Sequence, residues 1–361
     1  MIQKNWKMKA VIDEKIPFLS EALEAMGHSV VALPGVKICA DDVADADALF
    51  VRTRTHCNEA LLCDSKVRFI GTATIGYDHI DADYCVGNGI RWASAAGCNA
   101  GAVLQYVQSV IYAWSKERGC PVEGLSLGVV GVGEIGSRVA TWAEGAGMTV
   151  YRNDPPRQEK EGGGAFVSLA EIAEKCDIIT FHPTLERAGR YPSYHLADEA
   201  FFASLKRCRL LINASRGPVV DNKALLVALE HGALPDAVLD VWEGEPDLSL
   251  SLLNKVYIAT PHIAGYSAEG KLNATALVLK AFASFSGYEG ELPLPQLPAP
   301  VPSMIMAPTF ADAILEIYDP HVDSLRLKQS PSTFEEQRNN YLLRREPGAY
   351  KISLKCNKML K

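Results

Sequence analysis

Glycines 131, 133 and 136 stand in G-x-G-x-x-G order, directly after the apolar run "LSLGVV" and ahead of the amphipathic stretch "SRVATWAEGAGM". Such a strand has to enter a tight turn at Gly131. The backbone at Gly133 has to be bare for a pyrophosphate to approach, and Gly136 has to let helix and strand touch. The helix N-terminus then offers N–H groups and a positive dipole end to the phosphates, with Glu134 and Ile135 in its first turn. Three glycines alone are equally compatible with a turn that holds nothing. Here the next strand-like run ends in "RNDPP", which puts Asp154 where a carboxylate can bond the adenosine ribose hydroxyls and repel a 2′-phosphate. NAD is therefore the expected cofactor, with Arg152 and Arg157 as the nearby cations.

The motif sits in a longer alternation. Before it, "KAVID", "SVVALPG", "ADALFVRT", "VRFIGTAT" and "GIRWAS" alternate with helical stretches, and "NAGAVLQYVQSVIYAWSKERG" reads as one long helix. After it, "TVYRND", "DIITFHP", "CRLLINASRG", "AVLDVWEG" and "KVYIATPH" are further strand-like runs. The expected fold class is α/β, with two doubly wound parallel-sheet domains. The stretch "ELPLPQLPAPVPSMIMAP" reads as a proline-rich linker. Beyond it, "TFADAILEIYD" and "STFEEQRNNYLLRRE" carry helix signals of a small C-terminal α+β module. The boundaries drawn are 1–104 with 268–290, 105–267, and 291–361.

A net charge of −7 over 361 residues argues against nucleic acid as a partner. No run is apolar for the length of a membrane span, so no membrane partner is expected. Nine cysteines, an odd number with no CxxC pair, suit a reducing cytoplasm, and no metal is expected. The first seven residues read as an extension ahead of the first strand, without the apolar core of a signal peptide.

Three later runs each place a reactive side chain after a strand: Arg216 in "INASRGPVVD", Asp240 and Glu245 in "LDVWEGEP", and His262 in "TPHIAGY". Singly, each has an ordinary explanation as a solvated charge, a turn residue or a core histidine. Together, behind a dinucleotide motif, they point to chemistry at the carboxyl ends of one sheet.

In this order the motifs resemble the D-isomer-specific 2-hydroxyacid dehydrogenases over about residues 8–290. The resemblance implies a Rossmann-type cofactor domain and a flavodoxin-like substrate domain. It makes His262 the acid/base, Glu245 its partner and Arg216 the grip on the substrate carboxylate. Asp240, Thr184, Ala214, Ser215 and Gly265 would lie along the cofactor, and Thr53, Thr74 and Tyr266 would touch substrate. His79 and His182 match no proton-transfer role. The run "FEEQRNNYLLRRE" is absent from ordinary members and resembles a branch acting on a small phosphorylated hydroxy acid as a homodimer. Arg52, Arg54, Arg344 and Arg345 are the candidate phosphate ligands. Two other readings stay open: a dehydrogenase for another acid such as 3-phosphoglycerate, and a non-catalytic NAD sensor of the corepressor kind. One departure is "FHPTL", where relatives read F-H-T-P-L; Pro183 cannot donate the usual contact, so Thr184 takes it over or the loop differs.

Overall fold

The computed structural model describes residues 7–163 and 166–354. The first six residues and the end of the chain from 355, including Cys356, lie outside the described residues. The chain forms two units, Met1–Asn99 with Ser267–Pro298, and Ala100–Tyr266 with Ala299–Lys361.

The first unit holds β1 (Lys9–Asp13), β2 (Ser29–Leu33), β3 (Ala48–Val51), β4 (Phe69–Thr72) and β5 (Arg91–Ser94) in one parallel sheet. Its order, β2-β1-β3-β4-β5, is flavodoxin-like. The inner strands β3 and β4 are buried throughout, as strands covered on both faces must be, whereas edge strand β2 leaves Val31 in solvent. One face packs Phe282, from helix Ala268–Ser286, edge-on against Phe50 and tilted against Phe69. That helix is capped by the Ser267 hydroxyl, which accepts from Gly270 N at 2.8 Å, and ends on Gly287 at φ +74°. Thr53 follows β3 and is exposed. Thr74, just past β4, spends its hydroxyl within its own loop, donating to Gly76 O at 2.8 Å and lying 2.6 Å from the Thr72 hydroxyl.

The second unit carries β6 (Ser126–Val130), β7 (Thr149–Asn153), β8 (Ile178–Phe181), β9 (Leu210–Asn213), β10 (Asp236–Leu239) and β11 (Ile258–Ala259). All are parallel, in the order β11-β10-β9-β8-β6-β7, with one more bridge from Arg152 to Phe166 beyond the β7 edge. Side chains alternate between two cores: Leu127, Val129, Ile178 and Ile212 face one, and Val130, Ile179, Leu211 and Leu239 the other. The strand order reverses between β6 and β8, the switch point where open sheets bind ligands.

Residues 299–361 group with this second unit, where the sequence suggests a separate module. The reason is packing: Ile314 and Tyr318 join one core of the second sheet, and Leu327 and Phe334 the other. The supposed linker also contains a strand, β12 (Met304–Ala307), paired in parallel with β13 (Lys351–Leu354). The helix signal in "STFEEQRNNYLLRRE" yields only Phe334–Asn339; the paired asparagines 339 and 340 favour a helix end, and the chain continues irregularly.

Candidate active site

Each motif glycine has its own physical reason. At Gly131, φ is +81°, and a Cβ would lie 2.4 Å from Pro183 N. At Gly136 a Cβ would lie 2.0 Å from Gly131 O, so strand and helix touch there. A Cβ on Gly133 meets nothing within 4 Å. The space above Gly133 is where a pyrophosphate would come against the N-terminus of helix Glu134–Gly145, which has no side-chain cap. Asp154 follows β7 beside this loop, accepting from Val132 N at 2.8 Å and Arg157 N at 3.0 Å. The neighbouring cations are already paired: Arg152 with Glu144 at 2.8 Å, Arg157 with Glu161 at 2.7 Å. Arg157 also donates to Val132 O. The donors, the bare glycine and the acidic strand end fit an NAD pyrophosphate and an unphosphorylated ribose. Pro183 packs on Gly131, and Thr184 lies exposed past it, 3.5 Å from Glu186 Oε1.

Register brings the other residues together. Leu239 pairs with Asn213 on one side and Ala259 on the other, so the loops leaving β9, β10 and β11 start side by side. Asn213 shapes the first loop: its Oδ1 accepts from Ser215 N and Oγ, and its Nδ2 donates to Arg216 O. Ala214 and Ser215 are buried in that turn. At Gly217 a Cβ would lie 2.0 Å from Trp242 O, so the Arg216 loop packs directly on "WEGEP". Arg216 donates to Ser215 O at 2.8 Å, and among the described residues no carboxylate pairs with it.

His262 donates from Nδ1 to Glu245 Oε2 at 2.8 Å. A carboxylate only accepts, so Nδ1 holds the proton and Nε2 of the neutral ring keeps its lone pair. The other Glu245 oxygen accepts from Trp242 N at 2.8 Å. Burial pushes the Glu245 carboxyl up, but the His262 bond, the charge that ring carries when protonated, the Trp242 N–H and the Arg338 charge outweigh it and hold the group below the usual carboxylate range. His262 itself has φ +57°, a left-handed backbone uncommon for any residue with a Cβ, though histidine adopts it more readily than β-branched residues do.

That turn is tied by Asp240. Its Oδ1 accepts from Ile263 N at 2.8 Å and from the Thr260 hydroxyl at 2.7 Å, its Oδ2 from Ala264 N at 3.0 Å, and its carbonyl from His262 N. Burial pushes the Asp240 carboxyl up against the His262 charge and these donors. Sequence reasoning places Asp240 along the cofactor; what its carboxylate holds is the backbone after His262.

Known proteins are similar to this chain. The family description "D-isomer specific 2-hydroxyacid dehydrogenase, NAD binding domain" matches residues 100–264. Erythronate-4-phosphate dehydrogenase of Bacteroides fragilis is 50% identical over 345 residues, 96% of this chain and 99% of the relative. Its namesake in Escherichia coli O81 is 43% identical, covering 94% and 92%. The chain belongs to the erythronate-4-phosphate dehydrogenases. It is thereby an NAD-dependent oxidoreductase among the D-isomer-specific 2-hydroxyacid dehydrogenases. A D-lactate dehydrogenase from Aquifex aeolicus, solved with NAD and lactic acid, superposes with a TM-score of 0.59 at 26% identity, over 77% of this chain and 96% of that one. A glyoxylate reductase from Paecilomyes thermophila gives 0.63 at 25%, over 80% and 98%.

The C-terminal segment reaches the site. Arg338 Nε lies 3.3 Å from the Tyr266 hydroxyl, and Tyr341 packs edge-on against the Tyr266 ring. Sequence reasoning missed Arg338, Asn213 and Thr260, whose roles come from partners remote in sequence or from turn shape. It also placed Arg344 among the phosphate ligands, and this is corrected: the side chain is buried and every N–H is committed to protein. His182 bonds Thr180 at 2.9 Å and burial takes it down to about 3; His79 bonds Thr72 and is likewise lowered by burial.

Proposed function

We propose that this protein oxidises the C2 hydroxyl of 4-phospho-D-erythronate to 2-oxo-3-hydroxy-4-phosphobutanoate, with NAD as acceptor, in pyridoxal 5′-phosphate biosynthesis. The observation that carries the reading is the His262–Glu245 pair, whose proton-accepting nitrogen has no hydrogen-bond partner among the described residues, on a loop next to Arg216, which pairs with no carboxylate among them. Gly131, Gly133, Gly136 and Asp154 would hold NAD, which when bound would supply the hydride acceptor. His262 Nε2 takes the hydroxyl proton. Glu245 fixes the ring and stabilises its protonated form. The Arg216 fork grips the substrate carboxylate and draws charge from the C2 oxygen as it becomes a carbonyl. Arg52, Arg54 and Arg345 remain candidates for the phosphate.

The relatives' names select this acid over 3-phosphoglycerate, and the intact Arg216–Glu245–His262 set disfavours a sensor without turnover. Purified protein with NAD and each phosphorylated acid, followed by NADH absorbance, tests both. A higher kcat/KM for 4-phosphoerythronate is expected. Preference for phosphoglycerate, or NADH binding with no oxidation of any 2-hydroxy acid, overturns the reading.

The protein is further assigned to the cytoplasm as a homodimer. Among the described residues all eight cysteines are free and no helix is long and apolar enough to cross a membrane. Met304, Met306, Phe310 and Leu354, on and beside the two-stranded sheet, leave large apolar side chains in solvent, a surface suited to a second copy.

A further inference from the structure

The Arg344 guanidinium has five N–H groups and five acceptors. Nε donates to Gln105 Oε1 at 3.0 Å. Nη1 donates to Ile263 O at 3.0 Å and the Tyr341 hydroxyl at 3.4 Å. Nη2 donates to Ala102 O at 3.1 Å and to Ala264 O. The plane lies 4.4 Å from the Tyr318 ring centroid, and Gln105 returns a bond from Nε2 to Arg345 O at 3.0 Å. Two of the five acceptors are the carbonyls of Ile263 and Ala264, the same residues whose N–H groups Asp240 takes. The backbone after His262 is thus gripped from both sides, by an anion on its donors and a cation on its acceptors. Neither grip comes from a neighbour in sequence.

We infer that Arg344 is a positioning residue for the oxidation: the C-terminal segment reaches back to helix Ala100–Arg118 and clamps the turn that aims the His262 ring. The clamp accounts for a charge buried with no direct carboxylate contact among the described residues. It also accounts for a histidine held at positive φ, since the turn is overdetermined from two directions. Lysine cannot replace it, because an ammonium has three donors and no planar fork to span two consecutive carbonyls and the helix at once. The inference rests on the reading of His262 as the acid/base.

Arg344→Lys and Arg344→Met test it, with turnover expressed per NADH-binding site. Expected for Arg344→Lys are NADH affinity within about 3-fold of wild type and a kcat lower by about 100-fold, the scale of a misplaced catalytic group. A 2-deuterated substrate should then show a larger primary isotope effect on kcat than in wild type, because the chemical step has become slow. The downfield imidazole N–H proton resonance of the His262–Glu245 bond, assigned by its loss in His262→Gln, should broaden or vanish. Arg344→Met, if it folds, should lose more, and added guanidinium should restore part. A fall in activity that merely tracks folded protein, with isotope effect and resonance unchanged, overturns the inference, as does a wild type lacking that resonance. If the wild type oxidises no 2-hydroxy acid, the functional reading fails, and the resonance alone decides whether Arg344 orders the ring.

Discussion

At the residue scale the site depends on one carboxylate staying charged in a place that disfavours charge. Glu245 does so because His262 and Trp242 N supply hydrogen bonds and Arg338 a positive charge that together exceed the cost of its burial. Its carboxyl is lower in the folded chain than in the unfolded one. Its stabilisation is therefore fully present above the ordinary carboxylate range and disappears as pH falls through the lowered folded value. Glu245→Gln keeps the size and removes the charge. Thermal melts from pH 7 to pH 3 should show the wild-type advantage over Glu245→Gln shrinking only on the acid side. The same variant should lose kcat by about 10²-fold and move the pH–rate profile, since the protonated ring loses its counter-charge. An unmoved profile would remove Glu245 from the proton transfer.

At the element scale, the loop from β6 into helix Glu134–Gly145 shows what sequence can and cannot convey. The glycine pattern is legible because each glycine answers a local demand: a positive φ at Gly131, an open approach at Gly133, a contact at Gly136. These demands predict opposite outcomes for two similar substitutions. Gly136→Ala pushes a methyl into Gly131 O and should destabilise the fold by roughly 1–3 kcal/mol or more. Gly133→Ala meets no protein atom, so its melting temperature should stay near wild type while NADH affinity falls. Denaturation and NADH fluorescence titration on both variants check this; unchanged NADH affinity in Gly133→Ala would mean that the cofactor does not approach there. The strands were legible for the same local reason, as short apolar runs ending in turn residues. The His262 turn was legible only as a histidine after a strand. Its positive φ and the clamps from Asp240 and Arg344 depend on residues 22 to 82 positions from it, which no local pattern encodes. Burial likewise turned Arg344 from a phosphate ligand into a support, and β12 was hidden in a stretch whose prolines read as a linker.

At the scale of the whole molecule, the C-terminal segment is an integral part of the cofactor-binding unit, packing into both of its cores and onto the catalytic turn. Its exposed methionine face is the proposed dimer contact. Light scattering should give about twice the 39.2 kDa chain mass, and a Met304→Glu, Met306→Glu double variant should be monomeric with NADH binding intact; a monomeric wild type would refute the contact. In the proposed reaction His262 moves a proton rather than holding structure. Turnover and NADH affinity measured together on His262→Gln test that most directly. The expected result is a kcat lower by at least about 10²-fold with NADH affinity within about 3-fold of wild type. Equal losses in both, or turnover near wild type, would contradict it.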